Sequence, residues 1–368
     1  MRIRLVVSTL SLLFAGILLV PAVTAAERLY TGEAVIGDGL SMQGAQLAAL
    51  DQVLIRLTGQ VDRSLVSELG LGAGDLRALQ ASQQRVQVER LMPDGSRQEQ
   101  VVLRVDFYPP AVDNFLRNND LPRLGRERPA VLLWQARRGE PLDPFAVLEP
   151  SPLEPLADEA DGLDEANLDN YLQSLFERAS ARLGVDLIEP LGDALDLSMV
   201  NEADIRGGIL DGADALRDRY GAGMVAMLDL EQDDRGDWRG RWFWRLEGRD
   251  HSLSVTDPSL DVVVDRGVSG LLALMAERFA VRLATDRGAL RRIRVEGLVD
   301  QRQFSAVVNH LSELSVVERV QVVSARERAI EFDLELAGDG LEDQIGFSRL
   351  LAIEGEDAAG TLVLRWQR

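Results

Sequence analysis

A chain of 368 residues with 46% hydrophobic side chains is long enough for two or three separate cores. It has no cysteine and all 40 basic residues are arginine, which excludes disulfide frameworks, Walker-type phosphate lysines, Schiff-base lysines and lysine bases. With only His251 and His310 as imidazoles and a formal net charge of −20, the familiar zinc sites and His-based triads have almost nothing to work with, and nucleic acid and anionic lipid are poor partners.

The first 26 residues read as a secretory leader. Arg2 and Arg4 precede an apolar run from Leu5 to Val20, and small residues follow, with cleavage expected after Ala25 or Ala26. No later stretch reaches the ~18 continuous apolar residues that a spanning helix needs. The expected location is therefore the periplasm, with no transmembrane segment in the mature chain.

From Glu27 to Arg126 the pattern predicts an α+β amino-terminal domain. A strand, LYTGEAVI, leads into a helix whose Leu47, Leu50, Val53, Leu54 and Leu57 share one face, with Gly59 as its C-cap. RVQVERLM and EQVVLRVDFY form a hairpin around Asp94-Gly95. Pro109 and Pro110 stop the second strand, and AVDNFLRNN is a short helix.

Residues 127–257 predict an α/β middle domain with a mixed sheet. Its first strand, Val131 to Trp134, invites comparison with strands that run into a phosphate-binding loop. After it, Gly139 to Asn170 carry ten acidic residues, five prolines and no base, in place of closely spaced glycines and a helix N-terminus. A nucleotide site is excluded, and 139–165 reads as a solvated acidic loop that lacks calcium-loop spacing. The predicted order then runs helix (163–184), strand (185–191), helix (201–221) and two strands, AGMVAMLDLE and RGRWFWRLEG. A bridging helix lies within 258–290, with Leu272, Met275, Phe279 and Leu283 on one side; it suits either neighbour. Residues 291–368 predict β-α-β-β-α-β, a ferredoxin-like domain.

Candidate site residues are few. Trp238, Trp242 and Trp244 gather three of the five tryptophans, and the last two share a strand face. They can stack on a sugar or partner, or fill the space between sheet and helix. Arg123, Arg126 and Arg128 form a basic patch at the first domain boundary, suited to an acidic segment or simply to a solvated linker. Asp233–Asp234 and Asp158–Glu159 are carboxylate pairs of a kind that 60 acidic residues supply by chance. No catalytic, metal or cofactor residue emerges.

Three stretches together, ALDQVLIRLTG, VDFYPPAVDNFLRNNDLPRLGRERPAVLLWQ and LGVDLIEPLGD, resemble an exported proteobacterial family of unknown function, the one numbered two thousand sixty-six. The resemblance follows nearly the whole mature chain, departs around 139–165, and implies export without an assigned activity. The middle region is also similar in pattern to TolB amino-terminal domains and curli-secretion-type lipoproteins, which dock onto envelope proteins; fold likeness alone does not carry function. The resulting expectation is a non-enzymatic interaction or assembly factor that binds envelope proteins without a cofactor. The alternative is a carboxylate-based hydrolase or binding protein for envelope glycans that uses the Trp242/Trp244 strand.

Overall fold

The computed structural model describes residues 29–367 other than 38, 126, 138–164, 283–288, 315, 327, 339 and 349. The expected leader, Arg126, Leu283, the Asp158–Glu159 pair and nearly all of the acidic loop lie outside the described residues. The chain is a mixture of helices and mixed sheets, as its periodicities predict.

The amino-terminal domain opens with β1 (Thr31–Val35) and α1 (Met42–Thr58), then two short helices, α2 (Leu65–Glu68) and α3 (Ala73–Leu79). A long hairpin follows, β2 (Gln80–Leu91) and β3 (Arg97–Phe107), then α4 (Pro109–Asn118) and the two-residue β4 (Pro122–Arg123). The sheet is antiparallel, in the order β1-β3-β2. Ser41 caps α1 by accepting the Gly44 N–H, and Gly59 ends it at φ +69°. Leu50, Val53, Leu54 and Leu57 are buried against the sheet, as their spacing predicts. β1 lies so close to this helix that a Cβ on Gly32 would fall 2.0 Å from the Ala49 carbonyl oxygen. Pro109 and Pro110 do end β3, and they also form the first turn of α4, where an absent N–H leaves no bond unmade.

The middle domain comprises β5 (Val131–Arg137), α5 (Glu165–Leu183), β6 (Leu187–Ile188), α6 (Ala194–Met199), α7 (Glu202–Gly207) and α8 (Asp211–Tyr220). It continues through β7 (Met224–Gln232), β8 (Trp238–Leu246), β9 (Arg249–Asp257) and α9 (Leu260–Phe279). The sheet order is β6-β5-β7-β8-β9, with β5 parallel to β6 and β7 and the rest an antiparallel meander. Central β7 is buried on both faces: Met224, Ala226, Leu228 and Leu230 face α5 and α9, while Val225 and Met227 face α6–α8. The predicted helix over 201–221 is two helices, because Gly208 turns left-handed at φ +66° and caps α7. Strand β9 was not foreseen; its RDHSLSVTD pattern carries only Leu253 and Val255 as large apolar residues.

The bridging helix proves to be α9, and its Val263, Val264, Val268, Leu271, Leu272 and Met275 belong to the middle core. A short strand, β10 (Val281–Arg282), follows and pairs with β4.

The carboxy-terminal domain contains β11 (Leu290–Glu296), α10 (Gln301–Glu313), β12 (Val317–Arg326), β13 (Ala329–Leu336) and α11 (Leu341–Gly346), then β14 (Leu351–Glu356) and β15 (Leu362–Trp366). The predicted β-α-β-β-α-β order is present with one strand more. The second helix stops at Gly346, and the Leu350–Leu351 end of its predicted span turns into β14. The sheet order becomes β12-β13-β11-β15-β14, with β15 inserted parallel to β11. The domain meets the others through Phe279 edge-on to Phe347 at 4.8 Å, and through Arg278–Asp343 and Arg117–Glu318 pairs at 3.1 and 3.0 Å.

Candidate functional site

The tryptophan strand is not a platform. Trp238, Trp242 and Trp244 do share one face of β8, but that face lies under α9, and the three residues are 7%, 0% and 5% exposed. The Trp242 ring meets Phe176 edge-on at 6.2 Å. Gly267 and Gly270, one helical turn apart on α9, let the helix pass over the rings: a Cβ there would fall 1.9 Å from Trp242 Cε2 and 2.9 Å from Trp244 Cη2. Two glycines three apart inside an apolar helix were the available signal for this burial.

The basic patch is not one surface either. Arg123 donates to the Tyr30 hydroxyl at 3.1 Å and lies 3.2 Å from Asp113, while Tyr30 itself donates to Asp113 at 2.7 Å. Arg128 turns inward and donates to the carbonyls of Gly125 at 2.9 Å, Leu183 at 3.2 Å, Gly184 at 2.9 Å and Arg56 at 2.8 Å. Arg56, 3% exposed, donates beside it to the carbonyls of Arg182 at 2.8 Å and Thr31 at 3.0 Å. The two guanidiniums thus bind the carbonyl-rich ends of α1 and α5 to the linker, where a helix dipole favours positive charge. Burial is the main cost: it pushes Arg128 down to about 9, helped by Arg56, and Arg56 down to about 10, helped by Arg182.

The remaining candidates are structural. Asp233 accepts from the backbone N–H groups of Arg235 and Asp237, which hold its carboxyl below the usual range and shape the β7–β8 turn. His310 is 5% exposed on α10, 3.5 Å from Glu127, whereas His251 sits on β9 opposite Trp244. Among the described residues no group of three or more His, Asp or Glu side chains is placed to hold a metal.

A site that sequence reasoning did not find lies between the first two domains. The Asp94-Gly95 hairpin tip reaches the start of α5, where a Cβ on Gly95 would lie 2.7 Å from Asn167 Oδ1. Behind this contact, β2 and β3 form one wall and α5 the other wall of an open hollow of about 410 Å³, lined by Arg97, Asn167, Asn170, Gln173 and Glu177 among others. A second hollow of about 320 Å³ follows along the same helix, between Arg90 of β2, Arg178 and Arg182 of α5, and Asp261, Asp265 and Arg266 of α9. Arg178 and Arg182 pair with Asp261 and Asp265, one turn apart on each helix, and this ladder joins α5 to α9. Among the described residues, Arg90 and Arg266 have no carboxylate partner, and the amides of Asn170 and Gln173 have no hydrogen-bond partner. Among the described residues the trough therefore offers amides without partners at one end and guanidiniums without carboxylates at the other, in a chain that is strongly acidic as a whole.

Tyr171 completes the ladder by donating to Asp261. Burial first, and then that bond, push its phenol up to about 12; burial likewise pushes Tyr30 up to about 12. Both phenols keep their proton in the folded chain at pH values where an unfolded tyrosine, with its ordinary value of about 10, has lost it. The stability they contribute is whole below about pH 10 and is lost as pH climbs toward 12. Burial and its bond to Asp196 raise the Tyr220 phenol as well, so a tyrosinate absorbance titration should show three phenols ionising late; ionisation of all four tyrosines in one step near pH 10 would refute this.

The chain matches no protein-family model, no curated protein and no solved structure.

Proposed function

We propose that this chain is an exported interaction or assembly protein of the cell envelope, working in the periplasm, and that the trough along α5 receives an extended acidic stretch of a partner protein. The observation that carries this reading is that, among the described residues, the amides of Asn170 and Gln173 and the guanidiniums of Arg90 and Arg266 have no partner along one open groove. Side-chain amides bond an extended backbone, and guanidiniums fork onto carboxylates. The leader-like pattern of the first 26 residues supports the location. The glycan alternative has lost its platform, since Trp242 and Trp244 lie in the core.

The test is a photo-crosslinking residue placed at Gln173 in the full chain, in living cells, with the same residue at exposed Asp218 as the control. We expect one envelope protein to be captured from Gln173 and not from Asp218. Arg90→Glu with Arg266→Glu should reduce that capture about tenfold, because attraction at both positions becomes repulsion. Capture of this chain alone, or equal capture from both positions, would overturn the reading.

A further inference from the structure

We infer that the outer surface of α6 and α7 docks a cationic amphipathic helix of a partner protein. This surface lies on the opposite face of the middle sheet from the trough and stands independently of it.

The argument begins with a helix turned inside out. A surface helix normally buries its apolar stripe and exposes its polar one. In α6 the one buried residue is Asp196, fully enclosed, while Leu195, Leu197 and Met199 are 51%, 67% and 39% exposed. Leu191 just before the helix and Ile209 just after α7 are 76% and 53% exposed. Five of the fourteen exposed large apolar residues among the described ones therefore fall within this single short stretch. Scattered exposed leucines need no explanation, but a concentration of this kind marks a contact surface.

The inward side explains how the surface holds its shape. The Asp196 carboxylate accepts from the Gly192 N–H at 3.0 Å, from Arg219 at 2.7 Å and from the Tyr220 hydroxyl. Asp193 caps the helix by accepting the Asp196 N–H at 3.1 Å and also pairs with Arg219. Asn201 and Asp204 form a reciprocal capping box on α7. The exposed side chains thus sit on a backbone fixed by polar bonds, so ordering it on binding costs little.

Charge selects the occupant. From Glu189 to Asp211 the chain carries six carboxylates and one base, Arg206, which is paired with Glu202; Arg219 reaches in to Asp193 and Asp196 and Arg245 to Asp211, and among the described residues Glu189 and Asp204 meet no arginine, so the surface keeps an acidic excess. An anionic membrane would be repelled. A second copy meeting this surface across a two-fold axis would set the same acidic rim against itself. A helix with an apolar stripe and flanking Arg or Lys satisfies both features.

The test uses the full chain and a labelled synthetic helix with leucines at i, i+3, i+4 and i+7 and lysines on its flanks, followed by fluorescence anisotropy. A scrambled peptide of the same composition is the control, and Leu195→Gln with Leu197→Gln is the variant, its fold checked by circular dichroism. We expect the helix to bind, with affinity falling at least about tenfold both in the variant and for the scrambled peptide. If the double variant does not fold, Leu197→Gln alone serves in its place. Absence of binding, or equal binding by the variant or the scrambled peptide, overturns the proposal. So does sedimentation showing a wild-type dimer that the variant abolishes, which would make a second copy the occupant. None of these outcomes touches the trough, whose variants lie on the other face.

Discussion

Gly267→Ala is expected to destabilise the middle domain by about 3 kcal/mol, although the same change in an exposed helix would stabilise by about 1 kcal/mol. Overpacking decides the sign. The added Cβ would lie 1.9 Å from Trp242 Cε2 and 2.3 Å from Cζ2 and Nε1. The indole cannot retreat: it is fully buried, with Phe176 against its edge and the sheet behind it. Trp242→Ala alone should cost about 3–5 kcal/mol through the cavity it leaves. Combining Gly267→Ala with Trp242→Leu should recover part of the loss, because the new methyl fills space that the ring vacates. Thermal unfolding would read the glycine change as a fall of roughly 6–12 °C. A melting temperature within a degree of wild type would show that the helix does not pass over the ring as closely as described.

Arg128→Met should cost about 2–4 kcal/mol and uncouple the first domain from the second. Four hydrogen bonds are lost, and the carbonyls at the ends of α1 and α5 lose a charged donor. The net cost is well below four charged bonds, because removing the guanidinium also relieves its burial and its repulsion from Arg56. Calorimetry should then resolve two transitions where the wild type gives one, and proteases should gain access to the Gly125–Pro129 linker. A single unchanged transition would mean that the linker is held by apolar contacts such as those of Leu124, which joins the middle core.

Elements whose signal is local were legible beforehand. The face of α1, the Asp94-Gly95 turn, and the apolar runs of β5 and β7 each carry their periodicity within a dozen residues, so composition and spacing suffice. Strand β9 escaped because it is a polar edge strand and makes its bonds to β8 without an apolar run. The stretch 201–221 read as one helix because helix propensity on both sides of Gly208 is good; the left-handed turn that divides it is a property of the cap. In the last domain, β14 took the end of a predicted helix because an edge strand pairing with β15 overrides local preference.

The candidate site shows the same division. That an exported-looking, cysteine-free, lysine-free acidic chain should fold into mixed α and β layers follows from composition and pattern alone, since those set which cores and which side-chain chemistries are possible. Whether Trp242 faced solvent or core depended on Gly267, and whether Arg128 met a partner or the chain itself depended on carbonyls 55 to 72 residues away. The trough and the inverted helix α6 were likewise settled by which elements pack together. Burial and pairing are relations between distant segments, and a linear pattern carries the capacity for them without the choice.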